Sequence, residues 1–280
     1  MVKAVVNHIL PFSSVDGPGN RTVIFFQGCN LDCKYCHNPE TRNLCGHCGD
    51  CVKSCPTGAL LKRENKVVYQ KDKCVDCDTC IKVCKQGASP KTKEMTAKEI
   101  FAAVKKQIPF IRGITVSGGE CSLYPQVVEE LFVLAKEAGL STLMDSNGMI
   151  SFKEYPGLLQ YTDGVMLDIK CFKEKDHIKI TGHPNTMVLE NAAYLAQLNK
   201  LEEVRMVIVP DLYEGKESVK KTGEFLRKFP GFEKIRIKLI AFRPMGVRKE
   251  YAHYKTPEQE SLEEMRSLLQ KMGFETIILI

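Results

Sequence analysis

The sequence predicts an α/β protein: a partial, TIM-like (βα)6 barrel, interrupted after its first strand by a small insert built on metal. Three observations predict it. Six apolar runs of strand length recur with helical stretches between most of them, which implies a parallel sheet. Polar motifs stand directly after three of those runs, at the end of the strand where a barrel assembles its active site. Eleven of the thirteen cysteines crowd between Cys29 and Cys84. The expected boundaries are 1–40 and 91–280 for the barrel and 41–90 for the insert.

Taken in order, "RTVIFF" (Arg21 to Phe26) reads as the first strand. The insert follows, poor in apolar periodicity and rich in Cys, Gly, Asp and Lys. Thr96-Ala-Lys-Glu99 is a capping box and predicts a helix to about Gln107. "GITVS" (Gly113 to Ser117) is a buried strand, and a helix is expected from about Pro125 to Ala138. "STLMD" (Ser141 to Asp145), "GVMLDIK" (Gly164 to Lys170), "EVRMVIV" (Glu203 to Val209) and "KIRIKLIAF" (Lys234 to Phe242) complete the strands. Thr256-Pro-Glu-Gln259 opens the last helix, with Pro257 expected at its first position. Six units suit a partial barrel better than a dinucleotide fold, and no GxGxxG follows the first strand. The polar motifs are Ser117-Gly-Gly-Glu120, Asp145-Ser-Asn-Gly148 and Asp168-Ile-Lys170.

The 280 residues are 44% hydrophobic and 26% charged, ordinary for a soluble globular protein. A basic leader with a long apolar run is missing and no stretch is long enough to span a membrane, so a cytoplasmic protein is expected. In a reducing compartment clustered cysteines are more often metal ligands than disulfides. The formal charge of +6 is dispersed over helical stretches rather than gathered in a patch. Two four-thiolate clusters and one three-thiolate cluster would bring it to roughly +1. Neither a nucleic acid nor a membrane is an expected partner, and a monomer is expected.

Cys45, Cys48, Cys51 and Cys55 are spaced CxxCxxCxxxC, and Cys74, Cys77, Cys80 and Cys84 repeat it. This is the bacterial two-cluster ferredoxin pattern, in which the fourth cysteine of each run crosses to the other cluster. One [4Fe–4S] cluster is therefore expected on Cys45, Cys48, Cys51 and Cys84, the second on Cys74, Cys77, Cys80 and Cys55. Pro56 follows the first run and Lys85 the second. Zinc is the alternative occupant. The clusters would relay electrons, or only organise the insert.

Cys29, Cys33 and Cys36 remain, a CxxxCxxC site of three thiols. Cys121 or Cys171 could close it as a fourth ligand. Otherwise one iron stays open for a small chelating molecule, the general arrangement of a catalytic metal.

With Tyr35 before its last cysteine, this motif resembles the radical S-adenosylmethionine superfamily, and Gly118-Gly119-Glu120 resembles that family's GGE motif. "DGPGNRTVIFFQGCNLDCKYCHNPE" (Asp16 to Glu40) is similar over its whole length to the signature of glycyl-radical-enzyme activating enzymes, the pyruvate formate-lyase activase family. Length and insert look closest to the YjjW-type activase. The resemblance implies three [4Fe–4S] clusters and S-adenosylmethionine, cleaved by one electron to a 5′-deoxyadenosyl radical. It implies a glycyl radical enzyme (of YjjI type) as protein substrate, and reduced flavodoxin or ferredoxin as donor. Cofactor contacts would come from Tyr35, His37, Gly118, Gly119, Glu120, Asp145, Asn147, Asp168 and Lys170, Glu120's motif taking the methionine amino group and Lys170 the carboxylate. Asp145, Ser146, Met166 and Asp168 would hold a monovalent cation. Asp16, Gly17, Gly19 and Arg21 would help position the target's glycine loop. The competing readings are a radical enzyme modifying a peptide or small molecule with auxiliary clusters, and a ferredoxin-like electron carrier.

Arg243, in "AFRPMG", stands where family members often have a histidine; a guanidinium can donate to cofactor oxygens but cannot titrate near neutral pH. Arg205 interrupts an apolar strand, and a charge facing a barrel interior needs a partner, so it is expected to touch cofactor or substrate. Cys121 and Cys171 are expected to be small buried thiols.

Overall fold

The computed structural model describes residues 2–280. Ahead of the predicted first strand lies a longer one. β1 (Ala4–Ser13) runs antiparallel to β2 (Arg21–Phe26), with register shifts between Val6 and His8 and between Leu10 and Ser13. The following segment carries only short elements: α1 (Asp50–Ser54), a hairpin of β3 (Leu60–Arg63) and β4 (Lys66–Tyr69), and α2 (Thr79–Lys82). The hairpin turns at Glu64 and Asn65, both at positive φ, the geometry that matches the twist of a tight hairpin. β5 (Lys93–Met95) returns the chain to the large sheet, antiparallel to β1.

Strand and helix then alternate: α3 (Ala97–Lys105), β6 (Gly113–Gly118), α4 (Pro125–Glu137), β7 (Ser141–Ser146), α5 (Pro156–Gln160), β8 (Gly164–Asp168), α6 (Glu174–Thr181) and α7 (Thr186–Gln197). The series closes with β9 (Leu201–Ile208), α8 (Gly215–Leu226), β10 (Arg236–Ala241), α9 (Gln259–Lys271) and β11 (Ile277–Leu279). The sheet order is β11-β10-β9-β8-β7-β6-β2-β1-β5. Pairings from β2 to β11 are all parallel. Six parallel strands therefore follow one another in chain order, as a partial barrel requires, and the antiparallel strands and β11 extend its two edges.

Strand periodicity sorts the side chains. Ile24, Phe26, Ile114, Val116, Met144, Val165, Leu167, Val204, Met206, Ile237 and Leu239 face the helices and join Phe101, Leu131, Phe132 and Leu195 in one buried core. Each such side chain contributes about 1.5–3 kcal/mol on burial. Alternate positions, including Ser117, Asp145, Met166, Glu203, Arg205 and Lys238, are left to the other face, where the chemistry gathers.

The Thr96 capping box is formed: the Glu99 amide donates to Thr96 Oγ1 (3.3 Å) and the Thr96 amide to Glu99 Oε2 (2.8 Å). The last helix differs from expectation. It begins at Gln259 with Glu258 as N-cap, so Pro257 lies buried just before the cap rather than inside the helix. Its fixed φ is spent on the approach to the helix. Among the described residues no helix is long and apolar enough to cross a membrane.

Candidate active site

Cys29, Cys33 and Cys36 lie in the loop leaving the C-terminal end of β2, and that loop is tied down on several sides. The amide of Gly28 donates to Thr41 O (2.7 Å) and that of Cys29 to Arg42 O (2.8 Å); Asp32 and Lys34 donate to Thr181 O and Ile180 O, both at 3.0 Å. Gly119 crosses so close behind that a Cβ there would stand 2.2 Å from the Gly28 carbonyl oxygen. Only glycine permits that approach. The three thiols line one small cavity, together with Gly118 and Gly119 and with Arg248. Burial pushes Cys29 up to about 11 and Cys33 up to about 12, with Lys170 opposing the shift at both.

Cys121 and Cys171 do not line this cavity. Cys121 is buried and donates to Asp145 O (3.3 Å), while Cys171 packs with Tyr35 and Ile180. Both are small buried thiols.

Several expected contacts gather around the cavity. Asn147 Nδ2 donates to Asn30 Oδ1 (2.8 Å) and lies 3.6 Å from Cys29 Sγ. Lys170 donates to Asp168 Oδ2 (2.6 Å) and stands 5.8 Å above the Tyr35 ring. Burial works against the Lys170 charge, yet Asp168 and Tyr35 outweigh it and raise its pKa well above the ordinary value. Tyr35 is buried and its hydroxyl has no hydrogen-bond partner. An orphaned phenol beside Cys33, Lys170 and Asp168 fits a site that receives a polar ligand.

Asp145 Oδ2 accepts from Ser117 Oγ (2.8 Å) and from Arg205 Nη1 (2.8 Å). Burial lifts its carboxyl to about 6, against the pull of Arg205, with Asp168 and Asp16 adding to the rise. Arg205 also donates to Glu203 Oε1 (2.7 Å) and reaches Met166 Sδ (3.0 Å). Glu203 is wholly buried and pairs with Lys238 Nζ (3.0 Å) and Arg236 Nη2 (3.5 Å). The inward charge at Arg205 is thus one link in a chain Lys238–Glu203–Arg205–Asp145–Ser117.

Three expected contacts lie elsewhere. Glu120 is not in the cavity wall, though its charge still reaches Cys29: its oxygens accept from the Asn147 amide (2.7 Å), Ser146 Oγ (2.8 Å) and the Ser122 amide (3.0 Å). It joins the loops after β6 and β7, and what faces the cavity is the glycine backbone. Arg243 is exposed; only its carbonyl reaches the cysteine loop, accepting from His37 Nε2 (2.9 Å). Arg21, at the opposite end of β2, is buried and bonded to Thr115 Oγ1 (2.8 Å), Ser141 Oγ (2.9 Å) and Ile114 O (2.6 Å). It braces strands and has no donor left for a partner. The rest of its segment enters the barrel: Asp16 O accepts from Thr115 Oγ1 (2.7 Å), Val15 O from Lys238 Nζ (3.2 Å), and Gly17 packs on Leu143. Gly19 lies against Arg112.

In the insert, Cys55, Cys74, Cys77 and Cys80 line one small cavity. Cys45 and Cys48 crowd Cys51, which burial pushes up to about 11. The turn after Cys84 lies against the first run, with Gln86 2.8 Å from the position of a Gly46 Cβ and Asn43 Nδ2 donating to Gln86 O (2.6 Å). The two runs share a backbone. His47 and Asp76 are both at positive φ (55° and 50°), as are Gly49 and Asp78 (94° and 56°). The amides of His47 and Asp76 each point at the sulfur two residues back, at 3.4 Å. Left-handed backbone at three non-glycine positions is costly and persists only where the surroundings demand it. Amides aimed at sulfur suit a thiolate cluster. Among the described residues no three His, Cys, Asp or Glu side chains converge on a single-ion site.

Sequence reasoning missed Glu203, Lys238 and Arg248. The first two were visible by the rule that singled out Arg205, a charge interrupting a buried strand. Arg248 has no such signal, because a loop arginine is ordinarily solvated.

Comparison with known proteins places the chain. The Radical SAM superfamily model matches residues 23–226. The pyruvate formate-lyase-activating enzyme of Streptococcus mutans is 31% identical over 254 residues, covering 88% of this chain and 80% of that protein. The choline trimethylamine-lyase activating enzyme of Oleidesulfovibrio alaskensis is 28% identical over 299 residues, covering 97% and 96%. Among solved structures, Streptococcus suis SuiB bound to its precursor peptide SuiA superposes with a TM-score of 0.61 at 12% identity, over 92% of this chain and 48% of that one, a likeness of fold. With its cysteine loop at the mouth of a six-stranded partial barrel, the chain belongs to the radical SAM superfamily, and within it to the glycyl-radical-enzyme activating enzymes of the pyruvate formate-lyase activase family.

Proposed function

We propose that this protein installs a glycyl radical on a partner enzyme, with Cys29, Cys33 and Cys36 holding a [4Fe–4S] cluster whose open iron takes S-adenosylmethionine. The observation that carries the reading is the cavity lined by three thiols and by the Gly118–Gly119 backbone, with no fourth cysteine in its wall. When bound there, the cluster and cofactor supply one-electron cleavage of a carbon–sulfur bond and the hydrogen abstraction that follows.

The chain's own groups bind and orient. Carbonyls of the glycine pair receive the methionine amino group, while Glu120 holds the loops that present them. Lys170 meets the carboxylate, displaced from Asp168 or shared with it. The Tyr35 hydroxyl finds its partner in the same region. Asp145 and Asp168, with the carbonyls of Ser146 and Met166, offer hard oxygens to a monovalent cation; the two donors already on Asp145 both fall on Oδ2. Asp16 and Gly17 line the way into the barrel, with Gly19 at its rim against Arg112, and this segment helps to position the target's glycine loop. Arg21 keeps that segment in place.

In the insert, clusters on Cys45, Cys48, Cys51 and Cys84 and on Cys74, Cys77, Cys80 and Cys55 pass electrons from reduced flavodoxin or ferredoxin. The ferredoxin-like assignment is supported by the shared backbone of the two runs. A partner of YjjI type follows from the resemblance of the whole chain.

The test is anaerobic reconstitution with iron, sulfide, S-adenosylmethionine and reductant, followed by EPR after addition of a candidate glycyl radical protein. A glycyl doublet is expected. Release of 5′-deoxyadenosine without the doublet would overturn the partner, and absence of both would overturn the activase reading.

A further inference from the structure

We infer that Arg248 is a positioning residue that clamps the cysteine loop and keeps net positive charge beside it, so that the site accepts an electron more readily. The inference rests on the reading of Cys29, Cys33 and Cys36 as a cluster site. Arg248 sits in the loop after β10, 215 residues beyond Cys33 in the chain, yet forms part of the cavity wall. Its Nη2 donates one N–H to the Asp32 carboxylate (2.6 Å) and shares the other between the carbonyls of Cys33 (3.2 Å) and Asp32 (3.4 Å). The guanidinium lies 4.8 Å from the Tyr251 ring centroid, a cation–π seat that fixes its plane.

The rest of the loop is built to hold this arginine in place. Gly246, at φ 85°, passes so near His37 that a Cβ would stand 2.8 Å from its carbonyl oxygen. His37 Nε2 in turn bonds the Arg243 carbonyl, and its ring stacks on Phe242. Two chain segments distant in sequence are thereby closed around the cysteines.

Around Asp32 the charge balance favours the cation. Arg42 pairs with the same Asp32 carboxylate, so two guanidiniums share one counter-charge. Glu250 is 3.9 Å from Arg248 Nε, but its side chain is 59% exposed, and water screens it. Reduction adds one electron from a reduced carrier protein or dithionite, with no bond made or broken and no proton taken up. A nearby positive charge lowers the free energy of the added negative charge.

The experiment is an EPR-monitored potentiometric titration of the reconstituted full chain, in which the catalytic signal is the one that changes on adding S-adenosylmethionine. Arg248→Gln should titrate at a lower potential than the wild type. Asp32→Asn, which removes the counter-charge, should titrate higher, and Arg248→Lys close to wild type. Signals from the insert should not move. A purely structural clamp would shift Arg248→Gln and Asp32→Asn in the same direction or leave both unchanged, and either result overturns the inference. Should Arg248→Gln load too little iron to titrate, an unchanged or lowered potential in Asp32→Asn overturns it alone. A wild-type chain with no signal responsive to S-adenosylmethionine refutes the cluster reading itself, which is a distinct failure.

Discussion

In the barrel, Leu131, Phe132, Phe152 and Met144 are wholly buried in one continuous apolar core fed by β2 and by every strand from β6 to β10. In the insert the buried cluster is Cys51, Leu60, Val67 and Cys80, so half of its members are thiols. Hydrophobic burial can hold the first region without metal. A segment of about fifty residues with so few apolar side chains falls below what a core alone sustains. On the proposed cluster assignment, its stability comes from the ligands it binds, as in other small metal domains. On that assignment the same chain joins a scaffold that folds before its cofactors to an insert that folds with them.

The largest effect is expected at the catalytic cysteines. Cys33→Ala should reduce iron from about twelve to about eight atoms per chain, four for each remaining cluster, and abolish formation of 5′-deoxyadenosine. Iron assay and product chromatography check it. Because the insert's thiols are separate, its own EPR signals should survive.

Next is the buried charge chain, which the insert lacks. Arg205→Leu leaves Glu203 and Asp145 short of a counter-ion, and breaking such a pair costs about 3–5 kcal/mol. Urea unfolding should show a loss of that order. A change below about 1 kcal/mol would mean that Lys238 and Arg236 carry Glu203 unaided.

Matched core truncations sharpen the contrast between regions. Leu131→Ala should cost about 2–5 kcal/mol through transfer and cavity effects. Leu60→Ala should leave the barrel's unfolding midpoint unchanged and act on cluster retention instead, read as faster iron loss to a chelator. Equal shifts in the barrel midpoint would merge the two regions into one cooperative unit.

The smallest effect is electrostatic. Asp163 accepts from the Thr142 amide (2.9 Å) and pairs with Lys136; burial works against its charge, but these partners outweigh it and hold the carboxyl below its ordinary pKa. A depressed carboxylate stabilises above its unfolded pKa and loses that contribution as pH falls through the folded value. Asp163→Asn should therefore cost about 1 kcal/mol at neutral pH, since the group is partly exposed. The difference should vanish in acid.

How much of this was legible depended on how local the signal is. The six barrel strands could be read because each is a short apolar run whose side chains alternate between helices and interior. β1 was hidden: Asn7, His8 and Pro11 break its alternation, and the register shifts that accommodate them leave no period to read. β5 and β11 are three-residue edge strands that exist only through their neighbours. The cysteine spacings carried the proposed metal sites, because ligand geometry is written in sequence separation. The direction of Glu120, the burial of Arg21 and the reach of Arg248 were not legible, since each depends on a partner brought close by the fold.

The most direct test of the comparison is hydrogen exchange on the metal-free and the anaerobically reconstituted protein. Amides of β6 to β10 should be protected in both states, whereas residues 41–90 should be protected only after reconstitution. Equal protection of the insert with and without iron would contradict the account.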